Sequence, residues 1–184
     1  MNNDAAGYRR YLEGDDSGLA EIIEMYDKRL SLYINSIVKD ICLAEEIMQE
    51  TFVKLAVKKP KFSGNSSFAT WLFTIARNCA LDHLRKNSRF TELPETEGFL
   101  MSDEEDIEKE LIKEEQKSAL HKAMKKLPPD YSQVLYLKYF EELGNSDIAA
   151  VMHKSARQTG DLVYRAKNAL KTELERSGFE YEDI

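Results

Sequence analysis

The sequence predicts an all-α protein of two small helical domains joined by an acidic linker. Three observations carry this. Apolar residues recur at intervals of three and four along most of the 184-residue chain, and no strand-like alternation is present. Glycine (8) and proline (4) are few and stand between the periodic runs. Acidic residues concentrate in one central stretch that separates two balanced halves. The first domain is expected over 8–92, the linker over 93–109 and the second domain over 110–184.

The elements follow in chain order. Asp15, Asp16 and Ser17 are N-cap residue types, and the run behind them carries Leu19, Ile22, Ile23, Tyr26, Leu30, Tyr33 and Ile37, which predicts one buried stripe. A second helix over about 41–57 turns Leu43, Ile47 and Leu55 inward. Pro60 and Gly64 then interrupt. A third helix starts near Ser66 or Ser67 and runs to about Lys86, with Trp71, Leu72, Ile75, Cys79 and Leu84 on its inner face.

The acidic, proline- and glycine-containing stretch RFTELPETEGFLMSDEEDIEKE reads as a tether, with helix resuming near 107–126. Pro129 suits the first turn of the next helix, because its missing N–H would be unpaired there anyway. That helix, about 129–140, is expected to bury Val134, Leu135, Leu137 and Tyr139 or Phe140. Gly144 ends it, and a short helix over 146–152 follows. After a turn at His153 and Lys154, the last helix runs from Ser155 to about Arg176, with Ser155 and Gln158 forming a capping box. Val163 and Leu170 are expected to pack inward.

Composition excludes several classes. No run of about 18 apolar residues exists, so no membrane span is expected. The amino-terminal residues contain no apolar signal core, and a cytoplasmic protein is expected. Cys42 and Cys79 show no metal-ligand or redox spacing and read as small buried hydrophobes. His83, His121 and His153 are scattered. With no triad, paired carboxylates, GxGxxG or P-loop, neither enzyme activity nor a metal or cofactor is expected.

The net charge of −7 is misleading about polyanions. Residues 1–92 hold 13 basic and 13 acidic groups, and residues 120–184 hold 10 of each. Residues 93–119 hold three basic against ten acidic groups, the whole of the deficit. Lys54 to Phe90 contains eight basic residues and one acid, Asp82. Such a local patch governs contact with a polyanion more than the global sum does.

The short helix, tight turn and longer helix fit a helix-turn-helix, although ordinary helical packing gives the same pattern. The longer helix opens Ser155-Ala156-Arg157-Gln158. Arginine and glutamine can bridge base edges in a major groove, and the helix N-terminus can approach phosphate.

Two segments together resemble one family. LAEEIMQETFVKLAV followed by FSGNSSFATWLFTIARNCALDHLRK is similar to region two of bacterial extracytoplasmic-function (group IV) RNA polymerase sigma factors of the sigma-70 family. LPPDYSQVLYLKYFEELGNSDIAAVMHKSARQTGDLVYRAKNAL is similar to their region four. The resemblance covers about Gly14 to Leu174. It implies a non-catalytic initiation subunit that docks on core RNA polymerase, reads the −10 and −35 promoter elements and assists melting. It implies contact with the clamp helices of the largest polymerase subunit and the flap of the second-largest. Promoter DNA and an anti-sigma factor are the other implied partners, with no small-molecule substrate.

Residue by residue, the resemblance places Glu46, Gln49, Glu50 and Val53 on the core-binding helix, and their spacing of three and four puts them on one face. Phe62, Ser63, Gly64, Asn65 and Ser66 match a loop that captures a base flipped from the −10 element. Small residues allow close backbone approach, and an aromatic can stack on an unpaired base for about 1–3 kcal/mol. Asn78 matches that pocket. Arg77, Arg85 and Lys86 are candidates for phosphate, and Asp82 and His83 for the duplex end. Trp71 reads mainly as core, with DNA contact as the alternative. Lys154, Ser155, Arg157, Gln158, Asp161, Tyr164, Arg165 and Lys167 are the −35 candidates.

The last helix departs from the family pattern. Gly160 stands where a basic or polar residue is usual, and Asp161 would repel phosphate unless it accepts from a cytosine amino group. His153 replaces a frequent turn glycine, and Gly144 a frequent capping serine. Two other readings stay open on the residues alone. One is a stand-alone helix-turn-helix regulator, against which the balanced charge of the second domain argues. The other is a sigma-like interaction module without promoter recognition. The acidic tether reads as a solvated linker or as a mimic of RNA in the transcript exit channel.

Overall fold

The structure, a computed structural model, describes residues 3–87 and 119–177. Their regular secondary structure is all helical. The first domain contains α1 (Asn3–Leu12), α2 (Ser17–Val38), α3 (Ile41–Lys58) and α4 (Phe68–Asn87). The second contains α5 (described over 119–126), α6 (Pro129–Tyr139), α7 (Asn145–Met152) and α8 (Ala156–Arg176). The predicted acidic linker over 93–109 lies outside the described residues.

Local chemistry sets the helix ends. Asp40 caps α3, its carboxylate accepting from the Leu43 N–H at 3.1 Å. α2, α3 and α7 end in left-handed residues that are not glycine: Lys39 (φ 61°), Lys59 (φ 44°) and His153 (φ 53°). At each of these caps the backbone N–H closes on a carbonyl of the preceding turn. At α8 the capping box is formed. Gln158 N–H donates to Ser155 Oγ (3.2 Å), and Ser155 N–H donates to Gln158 Oε1 (2.8 Å).

The first core is aromatic. Tyr8, Tyr26, Tyr33, Phe68 and Phe73 are buried, with Tyr33 edge-on to Phe73 at 5.0 Å. A second core, continuous with the first, gathers Val134, Leu135 and Leu137 of α6, Ile148, Val151 and Met152 of α7, and Leu162 and Ala166 of α8. Val163 and Leu170 are half-buried against it.

Four details differ from the sequence reading. α1 was not expected, yet it buries Tyr8 and Tyr11. Their hydroxyls donate to the carbonyls of Pro60 (2.8 Å) and Ala56 (2.9 Å), tying α1 to the end of α3 and the loop behind it. Ile23 is 37% exposed, because it lies one residue off the stripe that α2 turns inward. In α6 it is Tyr136, not Tyr139 or Phe140, that is buried: its ring lies 5.8 Å from that of Tyr33 and its hydroxyl donates to the Arg29 carbonyl, both on α2. Cys42 is exposed in the first turn of α3, whereas Cys79 is buried, with Lys54 Nζ 3.3 Å from its sulfur.

Candidate nucleic-acid interface

Three surfaces collect the residues singled out in the sequence. On α3, Ala44, Ile47, Thr51 and Leu55 face the core. Glu46, Gln49, Glu50 and Val53 therefore share the solvent face. Val53 is 58% exposed and Val57 75%, so this acidic face carries an apolar stripe with no partner among the described residues.

The second surface is the 59–67 loop and α4. Gly64 has φ +74°, a conformation that strains an L side chain, and Ser63, Gly64 and Asn65 are exposed. Phe62 is not free. Its ring is half-buried, edge-on to Phe68 at 5.5 Å and tilted against Trp71 at 5.3 Å. Trp71 also meets Tyr8 at 5.2 Å and Phe68 at 5.3 Å, which fits its reading as mainly core. Ser66 is half-buried, and Ser67 caps the start of α4 through the Thr70 N–H at 3.0 Å.

Farther along α4, Asn78, Asp82, Arg85 and Lys86 are exposed and His83 is half-buried. Arg85 pairs with Asp82 at 3.3 Å. Arg77 departs from the sequence reading. It is only 8% exposed and donates from Nε to Gln133 Oε1 of α6 at 3.0 Å, so in this conformation it does not face solvent. A cleft of about 510 Å³ runs between α4 and the α7–α8 turn, lined by Arg77, Asn78, Asp82, Arg85, Met152 and His153 among others.

The third surface is α8. Thr159, Leu162 and Ala166 are buried, and Arg157, Gln158, Asp161, Tyr164, Arg165 and Lys167 are exposed on the other side. Lys154 is half-buried and paired with Asp130 of α6 at 3.1 Å. Ser155 and Gln158 form the capping box, in which Gln158 Oε1 accepts from the Ser155 N–H. Gly160 needs no special space: a Cβ there would meet only Asn145 Nδ2, at 3.9 Å. Among the described residues, no group of His, Cys, Asp and Glu could hold a metal, and no helix is long and apolar enough to cross a membrane.

Comparison with known proteins gives the family. The Sigma-70 region 2 model matches residues 22–90, and the Sigma-70 region 4 model matches residues 117–170. The chain is 30% identical over 152 residues to the ECF RNA polymerase sigma factor SigM of Bacillus subtilis, covering 82% of this chain and 91% of that one. This chain belongs to the extracytoplasmic-function RNA polymerase sigma factors.

A second member, SigW of Bacillus subtilis, is 28% identical over 171 residues, covering 88% of this chain and 91% of that one. In fold the chain is similar to the sigma factor RpoE of Bartonella quintana, solved with the anti-sigma factor NepR (TM-score 0.68, 22% identity, 85% of this chain and 96% of that one). It is also similar to CnrH, solved with the cytosolic domain of CnrY (TM-score 0.65, 19% identity, 95% and 99%). Within the sigma-factor frame, four residues important to the surfaces were not singled out from sequence. Tyr8 and Tyr11 hold the loop, and their signal was a tyrosine pair spaced i, i+3. Gln133 and Glu141 meet the first domain from the second, and no local pattern marks them.

Proposed function

We propose that this sigma factor docks on core RNA polymerase through the acidic, apolar-striped face of α3. It reads the −10 element with the 62–66 loop and α4, and the −35 element with α8. It performs no covalent chemistry and acts in the cytoplasm. An anti-sigma factor is its expected regulator. The observation that carries the reading is α8. Its N-terminus is capped by its own side chains, one face is locked into the second core, and the other presents Arg157, Asp161, Tyr164 and Arg165 together. That is the arrangement a recognition helix needs in a major groove.

The polarity of the α3 face fits a basic partner helix, with Val53 and Val57 supplying apolar contact. On the −10 side, the exposed backbone of Ser63 to Asn65 is where a flipped base can be approached closely, and Asn78, Arg85 and Lys86 continue that face.

The test is in-vitro transcription by core RNA polymerase on fragmented genomic DNA, with and without the protein, followed by sequencing of transcript starts. New starts sharing paired upstream elements are expected. Binding to core without new starts would leave a polymerase-binding module. Absence of core binding would leave a stand-alone DNA-binding regulator.

A further inference from the structure

α1 carries no residue that the functional reading uses, and it precedes the stretch matched by the region 2 model, residues 22–90. Its placement is nevertheless closely fixed. It crosses α2 so tightly that a Cβ on Gly18 would lie 2.1 Å from the Gly7 carbonyl oxygen. The Tyr26 hydroxyl of α2 donates to Asp4 in a buried bond of 2.6 Å, and Arg10 pairs with Glu21. One side of α1 is thus held on α2. The other side meets the segment that leads from α3 into α4.

That segment has little of its own to hold it. Among the described residues, 60–66 make no backbone–backbone hydrogen bond. Pro60 has no N–H to donate. The 2.8 Å bond from the Tyr8 hydroxyl to the Pro60 carbonyl is the one hydrogen bond, among the described residues, that reaches 60–66 from another helix. The second anchor is Phe62, whose ring sits against Phe68 and Trp71. Tyr8 supports that seat as well. Its ring is 1% exposed and lies 5.7 Å from Phe68 and 5.2 Å from Trp71. One side chain of α1 therefore serves both anchors of the loop. Tyr11 touches neither. Its hydroxyl donates to the Ala56 carbonyl at 2.9 Å, in the last turn of α3, where carbonyls lack partners within the helix.

We propose that Tyr8 is a positioning residue for promoter reading: it holds the 60–66 loop in the shape that receives an unpaired −10 base. Base selectivity then depends on a helix outside the reading surface. The inference rests on the proposed role of the 62–66 loop and deepens it. The physical reason is preorganisation. Contacts that distinguish one base from another need fixed geometry, and a site whose support lets it wander loses that distinction. In Tyr8→Phe the ring packing stays and the hold on Pro60 is lost. The Pro60 carbonyl turns to water, and the loop gains conformations that do not fit the base.

The test uses the full chain, with Tyr11→Phe as the matched comparison. Each substitution removes one part-buried bond from a hydroxyl to a carbonyl on the same helix, and only Tyr8→Phe releases the loop. Templates carry a start that the wild type specifies, with the −10 element randomised in one pool and the −35 element in another. Transcription by core polymerase and sequencing of the products give the ratio of best to next-best base at each position. That ratio does not depend on how much of the protein is folded. At the most selective −10 position, Tyr8→Phe should lower the ratio about fivefold, the scale of one hydrogen bond. Tyr11→Phe should keep the wild-type ratio, and the −35 ratios should be the same in all three proteins. In parallel, a nitroxide is placed on Ser63→Cys in a Cys42→Ser background; Ser63 is exposed and Cys79 is buried. Its resonance lines should be sharper in Tyr8→Phe than in the other two proteins.

An unchanged −10 ratio in Tyr8→Phe overturns the proposal, even if transcript yield falls. An equal loss of selectivity in Tyr11→Phe also overturns it, because that marks general loosening of the domain. If the wild type gives no new starts, the proposed function fails and the role in reading fails with it. The nitroxide then still decides whether Tyr8 holds the loop, and lines no sharper than the wild type's show that it does not.

Discussion

Replacing Gly18 by alanine should detach or displace α1, and the size of the effect can be worked from the crossing of α1 and α2. A Cβ on Gly18 would lie 2.1 Å from the Gly7 carbonyl oxygen and 3.0 Å from the Tyr11 nitrogen. Both are backbone atoms, so no side chain can swing away. Overpacking of this kind costs about 1–3 kcal/mol. Gaining alanine in a helix returns up to about 1 kcal/mol. The ceiling is complete undocking of α1, which would expose Tyr8 and Tyr11 at about 1.5–3 kcal/mol for each large side chain. It would also lose the bonds to Pro60 and Ala56, about 1 kcal/mol each. A net loss of about 2–4 kcal/mol is expected. Trp71 is the only tryptophan, and its ring lies 5.2 Å from that of Tyr8, so its fluorescence during urea unfolding reports this domain. With a slope of about 2 kcal/mol/M, the midpoint should fall by about 1–2 M. Gly7→Ala is the control. Its Cβ would meet the Gly18 carbonyl oxygen at 3.3 Å, a contact that small adjustment relieves, so the midpoint should barely move. An unchanged midpoint in Gly18→Ala, with α1 amides still protected from exchange, would refute the reasoning.

The remaining expectations concern the second domain and its contacts. Ser155→Ala removes half of the capping box and should cost about 1 kcal/mol, measured as a lower thermal midpoint and faster amide exchange in the first turn of α8. Arg157→Ala should weaken specific −35 binding by about 1–3 kcal/mol in a competition assay, with little change in stability, since its side chain is exposed. Burial, with Lys125 nearby, lowers the Lys39 pKa to about 8 from 10.5. Between these values the unfolded chain binds the extra proton, so stability should rise as pH climbs from about 8 to 10.5. Lys39→Met should flatten that segment of a stability–pH profile, and an identical slope in both proteins would exclude Lys39 as its source. The Ser132 hydroxyl and Met124 carbonyl keep each other as partners in that variant, at 2.8 Å.

Much of the candidate site was legible locally. The Ser155–Gln158 box and the split of α8 into a Thr159–Leu162–Ala166 core face and an outer Arg157–Asp161–Tyr164–Arg165 face follow from spacing and residue type, and the structure has both. The α3 face was legible for the same reason. Phe62 and Arg77 were not. The resemblance and residue type gave each a nucleic-acid role, but Phe62 is drawn into the aromatic cluster of Phe68 and Trp71, and Arg77 is covered by Gln133 from 56 residues away. α1 escaped because its apolar residues are two tyrosines and small side chains, a pattern that gains meaning only when the helix meets the Gly18 crossing.

The sequence by itself therefore determined the helices other than α1, the capping box of α8, the polar and apolar faces of α3 and α8, and the family motifs. Each of these depends on interactions within a few residues along the chain. Only the tertiary structure decided which faces are covered: that Tyr136 rather than Tyr139 or Phe140 is buried, that Glu141 finds Arg29, and that the second domain lies over α4. These choices rest on pairs roughly 60 to 110 positions apart, as with Arg77 and Gln133 or Arg29 and Glu141. Helical periodicity specifies that a face wants a partner; the partner's identity is settled by shape, charge and the loss of water when the two surfaces meet.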